Sequence, residues 1–414
     1  MIRRRIDFPW LAVAVAAALL AVGILFVQSS TRGTAIEGLE RRQLLMAAVA
    51  LPGLVLFGGM SHRFLARLAF PLYGFGIALL LLVPLIGVEV GGARRWFALP
   101  GGAQMQPSEL MKPFLVLALA RWFEFRGPPR ALRDLWGPLL LVVVPFVLIK
   151  FEPDLGTALL LLPIGAAATW CAGARRLHLL AAVALAAVLV PTLYVSPVLK
   201  EYQKERVRTF LESVPDVKAQ ALAARRAGDD PQAERLEERL RDLKRGSGYQ
   251  SHCAQTSIGS GGAFGKGLGQ GPNNRLSYLP ARHTDFIFAV IAEEWGFAGA
   301  CAVVLLFLLL GVGLLSVAAG TRDRFSQLIA VGAAASLVMQ AFANIAMTTG
   351  LMPVTGIPLP LVSQGGSQIL STCVLLGCVI SAARSRRDAE PFLYRVDAPA
   401  DPFDARSVAA PVRD

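Results

Sequence analysis

The sequence predicts an all-α polytopic membrane protein of about ten transmembrane helices, with both termini cytoplasmic and a long outer loop between helices 7 and 8. Three observations predict it. Hydrophobic residues make up 54% of the 414 residues, and the mean hydropathy is +0.53; soluble domains hold about 45–50% apolar residues even with glycine counted. The apolar residues come in blocks close to the roughly 20 residues that cross a bilayer. Arginine and lysine gather in alternate short loops between the blocks.

The first block follows Arg3-Arg4-Arg5 and runs from Phe8 to Val27. It resembles a signal peptide, but it is too long for a typical apolar core and more blocks follow, so a retained first span is expected. The spans are expected near 8–28, 43–60, 69–88, 108–125, 135–150, 155–172, 177–197, 286–316, 326–347 and 367–383. The eighth is long enough that its first part is expected outside the hydrocarbon. With the N-terminus inside, the inner segments hold Arg3, Arg4, Arg5, Arg63, Arg67, Arg126, Arg130, Arg133, Arg175, Arg176, Arg322, Arg324, Arg384, Arg386 and Arg387. The short outer loops hold fewer: Arg32, Arg41, Arg42, Arg94, Arg95 and Lys150. Lysine and arginine in short loops favour the cytoplasmic side, which fixes this orientation.

Four outer segments, at 91–112, 150–157, 200–285 and 350–368, are rich in Gly, Pro or charge. Chemistry is expected on that face. Within the third, 214–245 repeats Leu236, Leu240 and Leu243 at helical spacing among charged residues, which predicts a water-exposed helical insertion. The organisation expected is one transmembrane domain over 1–390, including the outer loop at about 200–285. A disordered cytoplasmic tail is expected over 391–414.

The formal net charge is +12 and the pI about 10.0. No basic stripe interleaved with aromatics accompanies it, so anionic membrane lipid is the expected counterpart and nucleic acid is excluded. The five cysteines are scattered: Cys171, Cys301, Cys373 and Cys378 lie in apolar blocks and Cys253 in a polar loop. That set has neither a disulfide framework nor zinc spacing.

Several polar residues stand where such residues are costly. Asp285, in Arg282-His283-Thr284-Asp285, sits where the long loop meets an apolar block. Partial desolvation there raises a carboxylate pKa and suits a general base, while a helix cap, which spacing alone favours, is a compatible role. Glu293 and Glu294 follow two turns later, where an ionised group needs a partner or a cavity. Glu109 and Lys112 share a helix face and can pair, either neutralising each other or ordering a buried polar site, with Ser108 as a cap. Asp154, in Glu152-Pro153-Asp154, suits the cap of the next span. Gly91-Gly92-Ala93-Arg94-Arg95-Trp96 combines two cations able to hold a diphosphate with an interfacial aromatic. The glycine-rich run 259–269 superficially resembles a phosphate loop but lacks the Gly-Lys-Ser/Thr ending; its amides and Lys266 remain able to approach an anionic head group. The stretch 353–367, with Pro353, Pro358, Pro360 and Ser363, cannot be a regular helix, so at membrane depth it must line a cavity.

These motifs, taken in order along most of the chain, resemble the SEDS family (shape, elongation, division and sporulation) of bacterial membrane proteins. The matching stretches are R-R-W at 94–96, Q-P-S-E-L-M-K at 106–112, P-D-L-G-T-A at 153–158, I-G-S-G-G-x-x-G-K-G at 258–267, H-T-D-F-I-F-A-V-I-A-E-E at 283–294 and G-L-M-P-V-T-G-I-P-L-P at 350–360. The Gly-Ser-Gly-Gly and Gly-Ile-Pro-Leu-Pro forms favour the elongation branch over the cell-division branch. The resemblance implies a peptidoglycan glycosyltransferase that polymerises lipid II, an undecaprenyl-diphosphate disaccharide-pentapeptide, outside the bacterial cytoplasmic membrane. It also implies a class B penicillin-binding protein as transpeptidase partner. The family's outer-loop aspartate matches Asp285, and its Trp96, Glu109, Lys112 and Asp154 positions are kept. Two departures stand out: the 214–245 insertion is longer than usual, and Gln364 replaces the tyrosine of Ser-Tyr-Gly-Gly.

The chemistry agrees with one carboxylate. A sugar hydroxyl is a weak nucleophile and benefits from a base, whereas a lipid diphosphate leaves as a stable anion and needs charge neutralisation more than a proton. Arg94, Arg95, Lys112, Lys266 and Arg282 are the candidate cations, as is a divalent ion (Mg or Mn). Asp285 is expected to deprotonate the acceptor 4-hydroxyl. The rival readings are a flippase for the same lipid, which requires polar groups on both faces, and a non-enzymatic scaffold.

Overall fold

The computed structural model describes residues 9–34, 36–90, 93–99, 104–175, 201–211, 214–243, 247–276 and 278–393. Helices α1 (Trp10–Thr31), α2 (Leu39–Gly59) and α3 (His62–Ile86) open the chain. A small antiparallel sheet follows, β1 (Val88–Val90), β2 (Ala93–Ala98) and β3 (Gln104–Met105), in the order β1-β2-β3. Then come α4 (Pro107–Arg126), α5 (Trp136–Phe151) and α6 (Leu155–Cys171). The expected span at 177–197 lies outside the described residues.

The polar insertion holds α7 (Glu201–Leu211), α8 (Val214–Arg226) and α9 (Asp230–Leu243), followed by α10 (Ser247–Ser260) and the single turn α11 (Pro272–Arg275). Helices α8 and α9 pack as a hairpin, turned at Gly228 with φ +76° and crossed by an ion pair of Arg225 with Glu237 at 2.8 Å. The chain closes with α12 (Ile287–Gly320), α13 (Arg324–Thr349) and α14 (Gly366–Leu393). Most of the tail expected over 391–414 lies beyond Leu393, outside the described residues.

Among the described residues, seven helices are long and apolar enough to cross a membrane. The chain is therefore a multi-pass membrane protein. Leu44, Leu45, Val49 and Val55 of α2 stay exposed, as a lipid-facing stripe must. Helix α4 is the opposite case. From Pro107 to Ala120 it is buried all round, against α3, α6, α13 and α14. It can carry Glu109 and Lys112 because protein, not lipid, surrounds them. Pro107 occupies its first position, where a missing N–H costs nothing, so Ser108 lies inside the helix and is not its cap.

The long α12 is broken at Gly296, with φ +70° and ψ −165°. Its first part, Ile287–Glu294, is buried as a separate helix. The backbone groups freed by the break are taken by the glycine-rich run: Lys266 N–H donates to Glu293 O at 3.0 Å, Gly267 N–H to Glu294 O at 2.9 Å, and Phe297 N–H to Gly262 O at 2.8 Å. A Cβ on Gly265 would lie 2.1 Å from Glu294 O, and one on Gly261 1.9 Å from Ala292 O. The glycines are there so that two backbones can touch, which corrects the expectation of an anion cradle.

Candidate functional site

Two polar clusters flank the start of α12, and they differ in how their carboxylates are used. The first surrounds Asp285. The turn 281–286 is held by hydrogen bonds from Thr284 N–H and Phe286 N–H to Ala281 O, at 3.1 and 3.2 Å. Phe286 stands at the cap position of α12 with no side-chain capping bond, so Asp285 does not cap the helix. Its carboxylate makes no hydrogen bond within the described protein. It is half-buried, and burial pushes it up to about 6 despite the nearby cations Arg206 and Arg95, with Asp154 also raising it. Desolvation thus outweighs two guanidinium groups, leaving a carboxylate that is ionised at neutral pH yet basic enough to take a proton.

The neighbours of Asp285 arrive from distant elements. Arg95 donates from Nε to Glu152 O at 3.0 Å and from Nη2 to Pro153 O. Its charge rests on neutral carbonyls and stays available to an anion. Asp154 caps α6, accepting from Thr157 N–H at 3.2 Å, and accepts from Gln106 Nε2 at 2.7 Å. Glu152 is 3% exposed, and its carboxyl has no hydrogen-bond partner. Burial, with Asp154 beside it, pushes it up to about 8 against the opposing effect of Arg95, so it is uncharged at neutral pH. The Gly-Pro stretch 350–365 covers the cluster: a Cβ on Gly356 would lie 3.4 Å from Asp285 Oδ2.

Ser363 clamps this stretch to the turn. Its Oγ donates to Thr284 O at 2.6 Å and accepts from Leu359 N–H at 2.8 Å. Gln364, the departure noted above, contributes its backbone N–H to His283 O at 3.0 Å. Beneath, Lys112 Nζ pairs with Glu109 at 2.7 Å and donates to Gln340 Oε1 at 2.7 Å. Both members of that pair are buried. Neutralisation and the ordering of a buried polar site are here the same event.

The second cluster is a latch. Glu293 and Glu294 are fully buried. Glu293 accepts from Asn273 N–H at 2.9 Å, Asn273 Nδ2 at 2.9 Å and Asn274 N–H at 3.2 Å. Glu294 accepts from Ser29 Oγ at 2.7 Å and Asn274 Nδ2 at 2.7 Å. Arg282 donates to Ser30 O and Asn274 O, each at 2.7 Å. These side chains tie the segment before Asp285 to the end of α1.

Of the residues expected from sequence, Asp285, Arg95 and Asp154 come together, with Ser363, Glu109 and Lys112 supporting them. Arg282 and Glu293 are held by protein groups, which fits the site-ordering role that was the alternative to substrate binding, and the Lys266 side chain is exposed. Arg94 and Arg95 do not act together, because successive side chains on a strand face opposite ways. Arg94 is exposed, 3.9 Å from Glu89, and Trp96 pairs with Val88 across the hairpin. Sequence reasoning gave Gln106 no role beyond its place in the 106–112 motif, and it missed Arg206, one charge in a charged loop, and Gln340 and Asn344, polar residues inside an apolar block.

As to a metal, among the described residues no group of three or more His, Cys, Asp or Glu side chains is placed to hold an ion.

The family model FTSW_RODA_SPOVE, described as cell cycle protein, matches residues 9–388. The peptidoglycan glycosyltransferase MrdB of Escherichia coli K12 is 33% identical over 350 residues, 84% of this chain and 87% of that protein. A chain of a peptidoglycan synthase complex that coordinates polymerization and crosslinking superposes with a TM-score of 0.72 at 34% identity, covering 92% of this chain and 99% of its own. The rod shape determining protein RodA of Thermus thermophilus gives 0.64 at 30% identity, covering 92% and 98%.

Proposed function

The chain belongs to the FtsW, RodA and SpoVE family of cell cycle proteins and is a peptidoglycan glycosyltransferase, and from that premise we propose that it polymerises lipid II with Asp285 as general base. The observation that carries the reading is the Asp285 carboxylate: half-buried, pushed up to about 6, and without a hydrogen bond from the described residues. In the step proposed, the acceptor 4-hydroxyl gives its proton to Asp285 as its oxygen attacks the donor anomeric carbon. The new glycosidic bond forms on the opposite face as the carbon–oxygen bond to the diphosphate breaks. The bonding pair leaves with the diphosphate, whose charge meets Arg95 and Arg206. A positioned base of this kind contributes about 10²–10⁴-fold.

A magnesium or manganese ion fits this donor set only as a companion of the diphosphate, since among the described residues no three acidic, histidine or cysteine side chains converge on one point. The site opens on the extracytoplasmic side of the bacterial cytoplasmic membrane, the side assigned by the distribution of basic loop residues. The similarity to a chain of a polymerizing and crosslinking complex supports a transpeptidase partner, a class B penicillin-binding protein. Glycan strands formed from lipid II by the purified protein in detergent are the expected result. Detergent removes the two compartments that transport requires. A preparation that is folded and binds lipid II but never elongates it would overturn the proposal.

A further inference from the structure

The residue that sets the Asp285 turn against its covering loop lies on neither of them. Asn344 is in α13, fully buried, and one amide nitrogen reaches both segments. Its Nδ2 donates to Asp285 O at 2.8 Å and to Ile357 O at 2.7 Å. Both partners are carbonyls, which only accept, so the amide orientation is fixed by chemistry. One turn earlier on the same face, Gln340 donates from Nε2 to Pro358 O at 3.0 Å while its Oε1 accepts from Lys112. Two consecutive loop carbonyls, 357 and 358, are therefore pinned by side chains of one helix. Gly356, the next residue back, is the one that faces Asp285 Oδ2.

We propose that Asn344 is a positioning residue for the Asp285 base, fixing the separation between the 281–286 turn and the 350–365 loop, with Gln340 tying that loop to the buried Glu109–Lys112 pair. A detail argues against a purely packing role. Asn344 Oδ1 is buried without a hydrogen-bond partner, an arrangement that costs stability and is uncommon at residues that serve packing alone. Asn344 hydrogen-bonds the backbone carbonyl of Asp285, so it acts on where the carboxylate stands rather than on its charge.

The inference rests on Asp285 being the base. The experiment compares wild type, Asp285→Asn and Asn344→Ala, each purified in detergent, by lipid II polymerisation across pH and by thermal melting. For folded Asn344→Ala we expect kcat to fall roughly 10²-fold, as about 1 Å of misplacement does. KM should stay within about twofold, and the acid-limb midpoint should move because the carboxylate meets a different surrounding. If Asn344→Ala does not fold, Asn344→Ser keeps one donor and should show an intermediate kcat loss. Full kcat with an unmoved acid limb in either folded variant overturns the inference. Full activity in Asp285→Asn overturns the base assignment instead, so the two failures are distinguishable.

Discussion

Asp285 and Glu293 are eight positions apart in sequence, both acidic, both at the start of the same long helix, and their surroundings are opposite. Glu293 is fully buried, and three N–H donors of Asn273 and Asn274 converge on its carboxylate. Asp285 is half-buried, its carboxylate has no donor among the described residues, and the cations Arg206 and Arg95 act on it through their charge. A saturated carboxylate is a fastener. One left unsaturated beside cations keeps its lone pairs for a substrate. Position relative to the membrane edge does not separate the two; the hydrogen-bond inventory does.

The largest effect expected from this contrast is on turnover. Asp285→Asn should lose about 10²–10⁴-fold in polymerisation rate while melting near wild type, because it removes no hydrogen bond made by the described residues. Glu293→Ala should do the reverse. Each buried donor left unmet costs about 1–3 kcal/mol. Thermal melting should show a clear drop, while the folded fraction keeps most of its kcat. The third effect is on pH. The reactive form of Asp285 is the ionised one, and burial holds it near 6, so kcat should fall about tenfold per unit as pH drops below that point. A flat profile down to pH 4.5 would show that no such base is used.

The smallest effect concerns Glu152, a third carboxylate that is buried yet unpartnered. Its folded value of about 8 lies above the ordinary glutamate value of 4.5, so the fold prefers its neutral form. Folding therefore carries a penalty that is absent below 4.5, grows as the unfolded chain ionises, and levels off above about 8. Glu152→Gln keeps the shape and removes that penalty. Its stability advantage in detergent melting should widen from pH 5 to 8 and then stay constant, with activity at pH 7 little changed.

The helical frame was legible because apolar blocks and basic loops are local signals. Nine of the expected spans correspond to described helices, since a bilayer permits little else. Asp285 was legible as a costly residue at a block edge, though spacing alone favoured a helix cap; the structure puts Phe286 at the cap position with no side-chain capping bond. What sequence concealed depends on contacts between distant segments. The Arg94–Arg95 pair looked like one cationic grip until the strand turned the two side chains apart. The glycine-rich run resembled a phosphate loop only superficially, and the partner its backbone meets is a broken helix about thirty residues on, at Gly296. Gln340 and Asn344 gave no signal at all, because a polar residue inside an apolar block acquires meaning only from the loop that folds over it.

The most direct test of the contrast sets Asp285→Asn beside Glu293→Gln in one detergent preparation with lipid II, reading the initial rate of glycan elongation per folded molecule. The account predicts a loss of about 10²-fold or more for Asp285→Asn and near wild-type turnover for the folded fraction of Glu293→Gln. Equal rates in the two variants, or an active Asp285→Asn beside an inactive but folded Glu293→Gln, would contradict it.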